Sequence, residues 1–357
     1  MSASTQYLSR RRMLTAMVCV IALPLAALSQ DRGSVPPVQV TQVVERVRSS
    51  ADESSLAQAL TLGGALLREG RFPEAAALFG ALAEKRPRDP AVLYGAALAT
   101  FNVGRAAEAE PLARKAVDAA LVAARATGVK SAENERAADA LVLLGVVLAV
   151  RGDDAGALKS VQQAVRLAPD NFDAQLALGR ALFSVGDDAG AVRAFRAAVA
   201  LRPANAQALF FLATTLEHSG DAEAALAAYR TLIARQPRTA EGHLGLGVLL
   251  LKRGGVETDE GLKELQSALE INPNLYEARV TLGRVLITRG RASDAIEHLR
   301  RAAELAPGNP EPHYQLALAY RHLGRTEEAD VESAIVKRIH ESRRGGTQEN
   351  VPAKPDE

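Results

Sequence analysis

Two pairs of adjacent carboxylates are the residues of this chain whose types and spacing come nearest to chemistry. They are Asp153-Asp154 and Asp187-Asp188, each within a copy of the hexapeptide Gly-Asp-Asp-Ala-Gly-Ala. Neighbouring carboxyl groups can share a proton and work as an acid–base pair. Here each pair follows a glycine and precedes a helical pattern, where a short carboxylate accepts hydrogen bonds from the unpaired amides of a helix start. We therefore interpret both pairs as helix caps.

No other combination of residues indicates catalysis. His340-Glu341 lacks the second histidine of a zinc-binding helix, and the six histidines include no pair at i and i+4. The segment from Gly245 to Gly247 lacks the third glycine and the strand of a dinucleotide site, and no Gly-Lys-Ser/Thr loop occurs. We expect a protein that is not an enzyme and that binds no metal and no cofactor.

The elements that carry the carboxylates are pairs of amphipathic helices. In residues 172–203 one helical stripe precedes Gly186, a second follows it, and Pro203 ends the pair. Glycine can adopt the left-handed conformation that ends a helix, and proline cannot continue one. The two stripes consist of Leu176, Leu178, Gly179 and Leu182, and of Ala191, Phe195, Ala198 and Val199.

The helix pair recurs with a period of about 34 residues. Closing prolines fall at Pro169, Pro203, Pro237, Pro273 and Pro307. The turn glycine recurs as Gly70, Gly104, Gly152, Gly186, Gly220, Gly254, Gly290 and Gly324. A small residue, where two helices must approach closely, recurs seven positions earlier as Gly63, Ala97, Gly145, Gly179, Ala213, Gly247, Gly283 and Ala317. The facing small residue on the second helix is Ala75, Ala109, Ala157, Ala191, Ala225, Gly261, Ala295 or Ala329.

This pattern resembles the tetratricopeptide repeat. The resemblance covers residues 56–338 and implies an all-α, right-handed superhelical solenoid of about eight helix-turn-helix repeats. Such an array buries one continuous core by stacking, without internal domain boundaries. The resemblance is specific for the fold and says less about function, because members of the family serve many different partners.

The resemblance also implies which residues face the concave groove. The fifth residue of each repeat is apolar or aromatic: Leu60, Tyr94, Val142, Leu176, Phe210, Leu244, Val280 and Tyr314. One helical turn further on lie Gly64, Leu98, Val146, Arg180, Thr214, Val248, Arg284 and Leu318. The expected surface is an apolar trough that carries Arg180 and Arg284, with Phe183 as a further outward-facing residue. The alternative is that part of the first row only packs neighbouring helices together.

The groove residues indicate the chemistry of a partner. Tetratricopeptide domains that read the C-terminal carboxylate of chaperones use lysine and asparagine at these positions, and this chain has neither there. We expect an amphipathic helix or an extended apolar peptide, with the arginines orienting a carboxylate. Five acids fall at the rim of the groove: Asp139, Asp173, Glu241, Glu277 and Glu311. We interpret them as first-turn acids that complement the helix dipole. The alternative is that they select basic residues of a partner.

Residues 1–29 have the pattern of an export signal. Arg10, Arg11 and Arg12 precede an apolar run from Met13 to Leu28, and Ala27-Leu28-Ser29 is a cleavage site that predicts a mature start near Gln30. The order Ser9 to Leu14 also resembles a twin-arginine signal, with general secretion as the alternative. A retained anchor is disfavoured because the run is shorter than the ~20 residues that span a bilayer and contains Pro24. The signal predicts a periplasmic or cell-envelope protein of a bacterium, with no stable membrane span after cleavage.

The remaining composition excludes several classes of function. Cys19, the only cysteine, lies in the signal, so the mature chain would contain no disulfide and no reactive thiol. Cleavage removes three arginines and no acids from a chain of net charge +1. Nearly balanced, interspersed charges and few aromatic residues give no reason to expect nucleic acid.

Segments outside the regular repeats are predicted as follows. Residues 30–55 form a linker and a short helix to Arg48, whose apolar face is Val40, Val43, Val44 and Val47. An insertion around residues 117–136 predicts an overlong second helix and then a loop from Gly128 to Glu135. The acids of residues 254–260 are interpreted as solvating a turn. Residues 339–357 are predicted to complete the last helix and to be disordered from Arg344.

The sequence predicts a non-catalytic protein–protein interaction scaffold or adaptor that holds a partner peptide or helix in its groove. One alternative is a structural protein that associates with copies of itself. A less favoured alternative is a protein that binds a small ligand in the apolar groove.

Overall fold

The structure, a computed structural model, describes residues 37–49, 52–127, 132–254 and 257–348. Across these ranges the chain forms 17 α-helices and no strand. It divides into two compact units: unit 1 ends at Thr215 and unit 2 begins at Leu216. The all-α helical-repeat fold predicted from the sequence is confirmed.

Unit 1 contains a first helix that is a separate cover, four complete helix pairs and most of one further helix. Its helices are α1 (Pro37–Ser49), α2 (Glu53–Arg68), α3 (Phe72–Lys85), α4 (Pro90–Asn102), α5 (Ala106–Thr127), α6 (Ala132–Arg151), α7 (Asp154–Leu167), α8 (Phe172–Val185), α9 (Asp188–Leu201) and α10 (Ala206–His218), the last of which contains the boundary between the units. Unit 2 continues with α11 (Ala222–Arg235), α12 (Ala240–Arg253), α13 (Glu257–Ile271), α14 (Tyr276–Thr288), α15 (Ala292–Leu305), α16 (Pro310–His322) and α17 (Thr326–Gln348).

The turns inside the helix pairs have the predicted geometry. Gly186 ends α8 in the left-handed region, with φ of 88°. The Asp187 carboxylate then caps α9 by accepting a hydrogen bond from the Gly190 amide at 2.8 Å, and Asp153 accepts one from Gly156 at the same distance. All eight predicted turn glycines have positive φ. The aspartate pairs are therefore structural, as the sequence indicated.

The two helices of a pair approach closely at a glycine. In the α8–α9 pair, a Cβ added to Gly179 would lie 2.5 Å from Cε1 of Phe195, closer than side chains pack. Phe195 and Ala191 are both fully buried. The close approach was predicted, but the ring of Phe195 rather than Ala191 fills the space against Gly179.

Helix α1 lies against the first helix pair of unit 1. Its residues Val40, Val44 and Val47 are buried and belong to the same hydrophobic cluster as Leu78 of α3. The helix begins at Pro37 and ends at Ser49, one residue beyond the predicted end at Arg48. Proline is well tolerated at the first position of a helix because its missing N–H would have no intrahelical acceptor there.

The insertion after Val117 lengthens two helices. Helix α5 extends to Thr127, which agrees with the predicted overlong second helix. Helix α6 begins at Ala132, earlier than predicted. The loop predicted to reach Glu135 is thus wrong for residues 132–135, and residues 128–131 lie outside the described residues. Glu133 and Glu135 are in the first turn of α6, where acids interact favourably with the helix dipole.

Two other local predictions differ from the structure. The acids after Gly254 lie at the start of α13 instead of solvating a turn: Asp259 pairs with Arg289 at 2.6 Å and Glu260 with Arg230 at 3.1 Å. Helix α17 extends to Gln348, so the predicted disorder from Arg344 is wrong as far as that residue.

The predicted signal and the rest of residues 1–36, and the predicted tail from residue 349, lie outside the described residues. Among the described helices, none combines the length and the apolar character that crossing a bilayer requires.

Candidate functional site

The predicted groove residues of unit 1 lie on the first helices of the pairs, but several of them are buried. Val142 has 3% of its surface exposed and belongs to the hydrophobic core, Leu176 has 7% and Phe183 has 3%. Helix α8 packs against α6, α7 and α9, so little of its surface remains uncovered. Val142, Leu176 and Phe183 therefore fail as outward-facing residues, and the alternative of helix packing is correct for them.

Arg180 is the most unusual residue of this surface. Its side chain is half-buried on α8, and its guanidinium carbon lies 5.7 Å from the centroid of the Phe211 ring. No acid lies within ion-pair distance of it in the part of the chain that the structure describes. Burial lowers the pKa of Arg180, since the charged form loses water without gaining a counter-ion.

The ring that Arg180 contacts belongs to an aromatic cluster. Phe211 stacks on Phe195 at 5.4 Å between ring centroids and contacts Phe210 edge to face at 6.2 Å. Phe210, from the predicted row, is half-buried. Arg180 is thus apolar on the side of Phe211, which strengthens any interaction with an anion that reaches it.

A half-buried acid lies further along the same surface. Asp139 accepts a hydrogen bond from Asn171 Nδ2 at 3.0 Å, and the same amide donates to Glu135 at 2.8 Å. Burial, reinforced by the charges of Asp173 and Glu135, raises the pKa of Asp139 to about 6. Asp139 is the eighth residue of α6, so the first-turn interpretation is wrong for it, because the insertion extends the helix in front of it.

The other rim acids do lie in first turns, as interpreted: Asp173, Glu241, Glu277 and Glu311 begin α8, α12, α14 and α16. Burial raises the pKa of Asp173, and Arg202, at 3.9 Å, opposes that rise.

Tyr94 lines a cavity that the sequence did not predict. The cavity has a volume of about 490 Å³ and lies between α2, α4 and α6, with Leu60, Tyr94 and Asp139 in its wall. Gly64, one turn after Leu60, also lines it and has no side chain to fill the space. Burial, followed by the charges of Asp139 and Asp173, raises the pKa of Tyr94, so its hydroxyl stays protonated.

In unit 2 the predicted residues are more accessible. Leu244 and Val280 are half-buried on α12 and α14, Arg284 is exposed, and Tyr314 on α16 has 57% of its surface exposed. Helix α14 packs against both α12 and α16, so these residues share one array of first helices. Arg284 has no acid within ion-pair distance among the described residues.

Two histidine–glutamate pairs in unit 2 were missed by sequence reasoning. Nδ1 of His243 lies 2.6 Å from Glu264, and Nδ1 of His313 lies 2.6 Å from Glu332. In both cases the histidine is the fourth residue of a first helix and the glutamate belongs to the second helix of the same pair. The same position of the two histidines in their helices was the signal in the sequence that could have revealed the pairs. Each pair joins the two helices of one repeat.

Comparisons with known families agree with this architecture. The tetratricopeptide repeat model matches residues 60–123, 118–172 and 176–231. A second model, the middle TPR-like domain of cilia and flagella-associated protein 70, matches residues 209–340. The chain belongs to the tetratricopeptide repeat family. Tetratricopeptide proteins bind protein or peptide partners, and their fold is generally non-enzymatic.

Solved structures are similar to this chain at low sequence identity. The Cut9–Hcn1 hetero-tetramer of the APC/C is 15% identical, covering 84% of this chain and 56% of that chain with a TM-score of 0.52. PilF from Pseudomonas aeruginosa is 18% identical, covering 58% of this chain and 93% of that chain with a TM-score of 0.52. MamA is 22% identical, covering 52% of this chain and 98% of that chain with a TM-score of 0.44. No curated protein matches the sequence.

Proposed function

We propose that this tetratricopeptide protein is a non-catalytic scaffold of the bacterial cell envelope that binds a helix or an extended peptide of a partner protein. The observation that carries the proposal is the exposure of Tyr314 on α16 and of Arg284 on α14, two first helices of unit 2 that pack against each other. Tyrosine and arginine are the residue types most often found at the energetic centre of protein interfaces.

The surface of unit 2 suits an amphipathic partner. Leu244, Val280 and Tyr314 supply apolar area, whose burial contributes about 25 cal/mol per Å². Arg284 supplies a planar guanidinium that can take a carboxylate with two parallel hydrogen bonds. A partner helix with one apolar face and an acid at its edge would satisfy both.

The surface of unit 1 favours the binding of an anion at Arg180. Arg180 is partly desolvated and has no acidic partner, and an uncompensated charge in such a place is costly. A carboxylate from a bound peptide would lower that cost. Phe210 lies in the same aromatic cluster and would pack against the peptide.

The cell-envelope location is proposed from residues 1–29 alone. The expected observation is a mature protein that begins near Gln30 in the periplasmic fraction, measured by N-terminal sequencing. An intact N-terminus in the cytoplasmic fraction would contradict the location without affecting the binding proposal.

The cavity beside Tyr94 favours a second candidate function, the binding of a small ligand. At about 490 Å³ it lies within the size range of ligand sites, and its wall is mostly apolar. Self-association is a further alternative. A mass that rises with protein concentration in light scattering would indicate it.

Substitution of Tyr314 tests the proposal. The variant Tyr314→Glu should lose at least tenfold in the yield of partner crosslinked in native cells, because it places a charge at the centre of an apolar contact. The matched control is Val122→Glu, at a residue of α5 with 66% exposure. Circular dichroism should show unchanged helicity for both variants. Equal crosslinking by Tyr314→Glu and wild type would reject the surface of unit 2 as the binding site.

A further inference from the structure

A second surface of unit 2 is rich in arginine. We call Arg279, Arg300, Arg301 and Arg325 the arginine cluster. They line a cavity of about 570 Å³ whose wall is formed mostly by α15. Glu297 and Glu304 also line it, so the wall carries four cations and two anions. None of the predicted groove residues lines this cavity.

Two members of the arginine cluster have no acidic partner in the described part of the chain. Arg301 pairs with Glu304 at 2.7 Å, and Arg325 pairs with Glu328. In contrast, Nε of Arg279 donates to the Pro273 carbonyl at 2.7 Å, and Arg300 donates to the Tyr320 hydroxyl at 2.7 Å. Both of these acceptors are neutral, so neither arginine forms an ion pair among the described residues, although the charges of Glu297 and Glu304 act on Arg279 and Arg300 interacts with the charge of Glu328.

The protein holds these cations together. Tyr320, with 2% of its surface exposed, accepts from Arg300 at its hydroxyl, and the guanidinium carbon of Arg325 lies 4.7 Å from the centroid of its ring. One rigid side chain thus positions two arginines. A site whose donors are fixed before binding loses less entropy when the ligand arrives.

The surroundings of Arg279 disfavour its charge. Burial and the charge of Arg301 lower the pKa of Arg279. The nearby His298 supplies no compensation, because burial, followed by the charge of Arg279, lowers its pKa, and its Nδ1 is buried without a hydrogen-bond partner. An anion between the arginines would relieve this repulsion.

We propose that the arginine cluster binds a phosphate group. A carboxylate has two acceptor oxygens and one negative charge, whereas a phosphate group has more terminal oxygens and more charge, and can accept from several arginines at once. The cavity is larger than a phosphate ion, so it has room for the molecule or side chain that carries the group. This site is separate from the peptide-binding surface, and either could exist without the other.

Calorimetric titration of the full mature chain tests the proposal. Pyrophosphate is the probe, and acetate at equal ionic strength is the carboxylate comparison. We expect pyrophosphate to bind at least tenfold more tightly than acetate. Arg279→Gln and Arg300→Gln should each weaken pyrophosphate binding about tenfold. The control Arg238→Gln removes an exposed arginine of the same unit and should leave binding unchanged.

The outcomes separate the possibilities. Equal affinity for pyrophosphate and acetate, or equal weakening by Arg238→Gln, would overturn the proposal. If circular dichroism shows that Arg279→Gln is unfolded, Arg300→Gln alone decides, because Arg300 is exposed. A peptide that contains phosphoserine distinguishes the source: tighter binding of the peptide indicates a phosphorylated protein, and tighter binding of pyrophosphate indicates a small phosphate compound.

Discussion

Asp139 is a partly buried acid whose ionisation opposes folding. Its pKa is raised to about 6 by burial, by Asp173 and by Glu135, whereas an unfolded aspartate has a pKa of about 3.9. The folded protein therefore binds the proton more tightly than the unfolded chain. The stability that Asp139 contributes is fully present below about pH 4 and is lost as the pH rises through about 6.

The variant Asp139→Asn should be more stable than wild type at pH 7, on the order of 1 kcal/mol, because the amide resembles the protonated acid and can still accept from Asn171. The difference should shrink as the pH falls to 4, as measured by urea unfolding across that range. Asp118→Asn, at an exposed carboxylate of α5, is the control and should show a constant difference. A pH-independent effect of Asp139→Asn would mean that Asp139 is ionised normally.

Residues with local roles were predictable from the sequence, and residues with tertiary roles were not. Gly186 and Asp187 form a turn and a cap, whose geometry depends on a few consecutive residues. Val142 and Phe183 have helical positions that match groove residues, but neighbouring helices cover them. Their burial depends on packing between pairs, which a single repeat does not encode.

At the scale of the helices, α8 and α9 are held at a close approach between Gly179 and the ring of Phe195. The variant Gly179→Leu should destabilise the protein by ~1 to 3 kcal/mol, because the new side chain would overlap the ring of Phe195. The measurement is thermal unfolding followed by circular dichroism.

Gly80→Leu is the matched control for this substitution. Gly80 is an exposed residue in the middle of α3, and a Cβ there would meet no atom within 4 Å. Leucine favours a helix more than glycine does, so the control should unfold at the same or a higher temperature. Equal melting of Gly179→Leu and wild type would show that α8 and α9 do not pair through this contact.

Helix boundaries were predicted well within the regular repeats and less well at the insertion. The break between α5 and α6 was expected to be a loop, yet residues 132–135 continue as helix. The insertion interrupts the repeat period, so only the local helix preference of its residues could locate the end of the loop. The run from Ala132 to Arg136 contains no residue that breaks a helix, and the helix extends through it. The cavity beside Tyr94 and the arginine cluster each draw on several elements, so no single stretch of sequence indicated either.

At the scale of the whole molecule, each of the two helical-repeat units carries its proposed binding residues on first helices. The hydrophobic clusters of the two units hold those helices in place, and the family relationship makes protein binding the expected role. The proposed surface of unit 1 contains Arg180 and Phe210, and the proposed surface of unit 2 contains Arg284 and Tyr314. The identity of the partner depends on contacts that these residues make outside the chain.

The most direct test places a photo-crosslinking amino acid at position 314 in native cells and, in a parallel strain, at position 122. Both side chains are exposed, but only Tyr314 lies on the proposed binding surface. The account predicts one major adduct at position 314, identified by mass spectrometry as a protein other than this chain and lost when Arg284 is changed to glutamate. The same adducts at both positions, or an adduct only with a second copy of the chain, would contradict it.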